Sequence, residues 1–184
     1  VGVAKRYPQF SARLGGRQTL QGRINGCMER SMNGKPLPET SRPMRAMVAY
    51  LNWHSRDVKG GDVAGQGLPK IALLGRAADP AIGRMVYEQH CSGCHGPHGE
   101  GQMNQDDPKG GYYYPPLWGA DSYNTGAGMN RLIVAAEFIK TNMPPDRALL
   151  GDEAAFDVAA YVASRQRPAE PDTAKDYPNR ALKP

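Results

Sequence analysis

No run of apolar residues approaches the ~18 that a membrane span requires. The segment Leu132–Ala136 is apolar but short, so the sequence predicts no membrane span. Aromatics make up only 8% of the chain, against 22 glycines and 16 prolines, a composition that favours short helices joined by long ordered loops. A core so poor in rings leaves room for a bound prosthetic group. The net charge of +5 is spread without a block of like charge and without aromatics interleaved among basic residues, so no nucleic-acid footprint is present. An anionic small molecule or an acidic redox partner suits that surface better. Cysteine is scarce too: Cys27 stands alone and the other two are Cys91 and Cys94, which excludes a disulfide framework. The sequence opens at Val1 with neither an initiator methionine nor a charged-then-apolar export segment, as expected of a processed form or of part of a longer chain.

What is present is helical. Ser41 and Pro43 start a helix with Met44, Met47, Val48 and Leu51 at core spacing. Asp79 and Pro80 start a second, with Ile82, Met85 and Val86 expected on its inner face, which runs into Cys91. Leu132, Ala135, Ala136 and Ile139 mark a third helix, and Asp152 caps a fourth bearing Ala155, Val158, Ala159 and Val162. A shorter helix is expected around Arg23–Ser31, and no strand pattern stands out. The Gly-rich stretch Lys59–Pro69 reads as a linker. These features predict a mainly α, loop-rich chain of two small domains packed together, 1–75 and 76–167, followed by an extended Pro-punctuated arm, 168–184.

Cys91-Ser92-Gly93-Cys94-His95 is a haem-attachment signature. Two thiols one helical turn apart can add to the two haem vinyl groups, which places the next imidazole under the iron. A redox Cys-x-x-Cys does not need the adjoining histidine, and half a zinc site lacks its second cysteine pair. His95 is therefore the expected proximal ligand. The sixth ligand is expected from Lys140-Thr141-Asn142-Met143-Pro144-Pro145, with Met143 favoured because the prolines stiffen the backbone beside it. Met103, Met129 and Lys140 compete on chemistry alone. His54, His90 and His98 are assigned no ligand role.

Cys27 lies among Arg23, Arg30 and Lys35, a setting that favours a thiolate, although a lone cysteine is as often a buried core residue. The segment Arg23–Lys35 resembles the cysteine-bearing region of dihaem thiosulfate dehydrogenases, which are similar to the haem-bearing A subunit of the Sox complex. Further along, Cys91–Gly101, Tyr114-Pro115-Pro116-Leu117-Trp118-Gly119, Gly126-Ala127-Gly128-Met129 and Asn142-Met143-Pro144 resemble the same family. The resemblance implies two cytochrome c-like helical domains and export to the periplasm. It implies Cys27 as iron ligand and sulfur-reactive group at a catalytic haem, and a second haem, bound by Cys91, Cys94, His95 and Met143, as electron exit. It also implies coupling of two thiosulfates to tetrathionate, with Arg23, Arg30, Lys35 and Ser31 holding the anions and a soluble cytochrome or similar acceptor taking the electrons. The family's first Cys-x-x-Cys-His has no counterpart before Cys27, so the resemblance implies an upstream haem-bearing segment and leaves the 1–75 domain incomplete. Two other functions remain open: a non-catalytic c-type electron carrier or cytochrome subunit, and a Sox-type thiosulfotransferase subunit.

Overall fold

The computed structural model describes residues 2–59, 67–145 and 147–183, so most of the Gly-rich linker lies outside the described residues. Two compact units result: Val1–Gly67 together with Glu170–Pro184, and Leu68–Ala169. The division therefore falls at Gly67/Leu68 rather than at residue 75. Residues 170–184 belong to the first unit instead of forming a separate arm.

In the first unit a short antiparallel hairpin, β1 (Gln9–Ser11) and β2 (Gly16–Gln18), leads into α1 (Leu20–Gly26). Thr19 caps α1 by accepting a hydrogen bond from the Gly22 amide at 3.0 Å, satisfying one of the orphan donors of the first turn. The helix continues as a π turn, Cys27–Ser31. Ser41 then caps α2 (Arg42–Ser55), whose Pro43 occupies the first turn as the sequence predicts. Met44 is fully buried, and Met47, Val48 and Leu51 pack around it with Ala4, Leu20 and Ile24. The stripe at helical spacing is thus the core of this unit.

The second unit holds α3 (Pro80–His90), α4 (Ser92–His95), a hairpin of β3 (Gln102–Met103) and β4 (Tyr112–Tyr114), α5 (Leu132–Asn142) and α6 (Asp152–Ala163). Strands of two or three residues are too short to show alternation in sequence. Asp79 caps α3 through the Ala81 amide at 2.7 Å. The inward face of α3 differs from the sequence expectation: Gly83, Val86 and Tyr87 point in, while Ile82 and Met85 are exposed. The reason is backbone proximity, because a Cβ on Gly83 would lie 1.9 Å from the Asp157 carbonyl oxygen of α6. Only glycine lets the two helices approach so closely. Next to that crossing Tyr87 is wholly buried, its ring 5.0 Å from Trp118 and 5.4 Å from Tyr161. A second cluster joins Ala135 and Ala136 of α5 to Phe156 and Ala159 of α6.

Candidate functional site

The α3 helix delivers the Cys-x-x-Cys-His segment. Its last turn ends at Cys91, whose carbonyl accepts from the amides of Cys94 at 3.2 Å and His95 at 2.9 Å, so both thiols and the imidazole issue from one turn. Both cysteines are free and half-buried. Burial, and secondarily the neighbouring Cys94, push the Cys91 thiol up to about 11. His95 Nδ1 lies 2.8 Å from the Pro115 carbonyl oxygen. A carbonyl only accepts, so Nδ1 carries the proton and Nε2 keeps its lone pair for a metal.

That carbonyl is itself fixed. Gly101 donates to the His95 carbonyl and Leu117 donates to the Gly99 carbonyl, each at 2.8 Å. Gly101 has φ 74°, and a Cβ there would lie 2.4 Å from the Tyr114 carbonyl oxygen. Gly99, at φ 67°, receives the Trp118 ring on the face where a side chain would stand. The sequence marked Tyr114–Gly119 as a motif without revealing this task; a backbone acceptor leaves no trace in side-chain identity. Two free thiols and an imidazole whose Nδ1 is held by a backbone carbonyl fit a covalently bound c-type haem. Among the described residues no group of three or more His, Cys, Asp or Glu is placed to hold a bare metal ion.

Met143 follows α5 in extended conformation (φ −124°, ψ 138°) and is half-buried. Lys140 is ion-paired with Asp152, Met129 packs against the α5/α6 cluster, and Met103 is exposed.

In the first unit Cys27 is half-buried at the junction of α1 and the π turn. Arg23, one turn earlier, donates from Nη1 to the Cys27 Sγ at 2.8 Å, a charge-assisted contact that holds the sulfur toward a cation. The turn is closed by the Met32 amide on the Cys27 carbonyl at 3.0 Å and the Gly34 amide on the Met28 carbonyl at 2.8 Å. Asn25 makes a two-way bond with the Leu37 backbone (2.9 and 2.8 Å), tying the segment that carries Lys35 back to α1. Ser31 and Lys35 are exposed. Arg30 departs from the sequence expectation of an anion-binding cation: its two Nη atoms donate to the two oxygens of Asp176 at 2.9 and 2.8 Å. A guanidinium engaged by both Nη atoms on a carboxylate has its charge already compensated.

Residues 1–59 match the family model described as SoxA/TsdA, cytochrome c domain, and residues 78–162 match that described as cytochrome C oxidase, cbb3-type, subunit III. A thiosulfate dehydrogenase of Allochromatium vinosum is 46% identical over 171 residues, covering 91% of this chain and 62% of the relative. Over nearly its whole length this chain is similar to that thiosulfate dehydrogenase. A second relative, the thiosulfate dehydrogenase of Psychrobacter arcticus, is 43% identical over 177 residues, or 94% of this chain and 52% of that one. The solved thiosulfate dehydrogenase (TsdBA) from Marichromatium purpuratum superposes with a TM-score of 0.86 at 34% identity, over 93% of this cytochrome and 37% of that chain. The cytochrome thus spans between about half and three fifths of the length of these two curated relatives.

Proposed function

We propose that this cytochrome carries out the oxidative coupling of two thiosulfates to tetrathionate, with Cys27 as the sulfur-reactive group. The observation that carries the reading is the Arg23–Cys27 contact, inside the segment that matches the SoxA/TsdA domain. In the proposed cycle a thiosulfate loses two electrons as its outer sulfur bonds to the Cys27 thiolate. A second thiosulfate then attacks that sulfur, breaking the bond to Sγ, so tetrathionate leaves and the thiolate is restored. Two dianions repel, and Arg23 and Lys35 offset that repulsion, with Ser31 donating to a sulfonate oxygen. Arg23 also holds Sγ in place through its donated hydrogen bond. When bound, c-type haem supplies the one-electron acceptors through which the electrons reach a soluble cytochrome or similar partner. Cys91 and Cys94 would tether the second unit's haem, His95 would ligate its iron on one side with Pro115 orienting the ring, and Met143 would ligate it on the other.

Covalent attachment of this kind follows export, which places the protein in the periplasm. Among the described residues no helix is long and apolar enough to cross a membrane. The electron-carrier alternative draws on the single Cys-x-x-Cys-His motif in the chain. Product analysis separates the readings. Incubation of the haem-loaded protein with thiosulfate and an oxidised one-electron acceptor is expected to yield tetrathionate. Acceptor reduction only when a separate electron donor is supplied, with no tetrathionate formed from thiosulfate, identifies a carrier, and conjugation of thiosulfate to a protein thiol identifies a thiosulfotransferase.

A further inference from the structure

The segment beyond residue 169 lies outside both family models, yet it supplies the carboxylates that hold the Cys27 turn. Asp176 receives both Nη atoms of Arg30 and also stands 3.7 Å from Arg13, while Glu170 lies 3.9 Å from Arg30. The network is largely withdrawn from water: the Arg30, Asp176 and Glu170 side chains are 15%, 14% and 6% exposed. Burial removes the screening that weakens surface pairs and raises the cost of leaving either partner alone. The neighbouring backbone is fixed at the same place. Tyr177 is held at φ 53°, rare for a non-glycine residue, with its amide donating to the Arg13 carbonyl at 2.8 Å. Pro178 packs where a Cβ on Gly15 would stand, 2.4 Å away.

We infer that Asp176 is a positioning residue for Cys27: it fixes Arg30 and thereby the π turn that presents the Cys27 sulfur. Arg30 lies within that turn, three residues from Cys27, and the hydrogen bonds from Met32 and Gly34 also anchor the turn. Releasing Arg30 frees one side of the turn while the α1/α2 core stays intact. The consequence for turnover rests on the function proposed above; the seating of the turn does not.

The test uses the haem-loaded full chain, with amide hydrogen exchange over residues 27–34 as the first readout and kcat and KM for thiosulfate as the second. Asp176→Asn is expected to speed exchange of the Met32 and Gly34 amides by about tenfold, with the core amides of α2 unchanged. It is also expected to lower kcat by about tenfold with KM moved far less, since the bound anion keeps Arg23 and Lys35. Asp176→Glu restores both. Asp172→Asn, which removes only the exposed pair with Lys175, changes neither. Should Asp176→Asn fail to fold, Arg30→Lys keeps the charge, loses the paired contact, and is expected to shift exchange in the same direction. Unchanged exchange in Asp176→Asn or in Arg30→Lys overturns the inference. Faster exchange with unchanged thiosulfate turnover supports the seating and instead contradicts the role proposed for Cys27.

Discussion

Cys27 and Arg23 are separated by one helical turn, and the donated hydrogen bond at 2.8 Å makes the sulfur's environment depend on a single side chain. Arg23→Gln removes the charge and retains a weaker donor. Thiosulfate turnover is expected to fall by about tenfold to a hundredfold, read as kcat/KM in a steady-state acceptor assay. Arg30→Gln, on the other side of Cys27 in sequence, acts differently, through Asp176, because the structure has already paired it. At the other site, Met143→His exchanges a thioether for an imidazole. A thioether ligand raises a haem potential relative to imidazole, so potentiometric titration is expected to show a lower midpoint potential for that haem. An unmoved potential would mean that Met143 is not the ligand.

Helix α3 owes its place to Gly83 and Asp157, and both give predictions at the level of the element. Gly83→Ala places a methyl carbon 1.9 Å from the Asp157 carbonyl oxygen, so α3 and α6 must part. Overpacking of that kind is expected to cost about 3 kcal/mol, seen as a Tm lower by several degrees. The Asp157 carboxylate accepts from both Nη atoms of Arg76 at 2.8 Å and from the Asp79 amide at 2.7 Å. Its pKa is lowered chiefly by the Arg76 hydrogen bond, against the opposing effect of burial. A depressed carboxylate contributes stability that is complete above the ordinary carboxylate range and is lost as pH falls through its folded value. Asp157→Asn is therefore expected to be less stable at neutral pH, by on the order of 2 kcal/mol because Arg76 is partly open to solvent. Denaturant titrations at neutral and strongly acidic pH should show the gap to the unsubstituted protein closing in acid. The caps and the Met44 stripe were legible in sequence because they are local chemistry at fixed spacing. The inward face of α3 was not. Hydropathy pointed to Ile82 and Met85, whereas the crossing is decided by the residue with no side chain. The role of Pro115 escaped notice for a related reason, since its contribution is a carbonyl that every residue possesses.

At the scale of the molecule, both units match cytochrome c domain models, while Cys-x-x-Cys-His occurs once. The haem motif was readable from spacing alone. Pairing of residues 170–184 with the first unit was not readable, because Arg30 and Asp176 are 146 positions apart and carry no shared periodicity. Resemblance supplied the chemistry of Cys27, with Arg23 and Arg30 beside it; the structure adds that Arg23 donates to its sulfur and that Arg30 is paired with Asp176. The most direct test of the central claim is to follow an external one-electron acceptor and tetrathionate together, in the haem-loaded protein and in its Cys27→Ala variant, with covalent haem counted in both. The account predicts two electrons delivered per tetrathionate in the unsubstituted protein, and loss of tetrathionate formation in Cys27→Ala at an unchanged count of haem on Cys91 and Cys94. Tetrathionate formed equally well without Cys27, or not formed at all by the fully loaded protein, would contradict it.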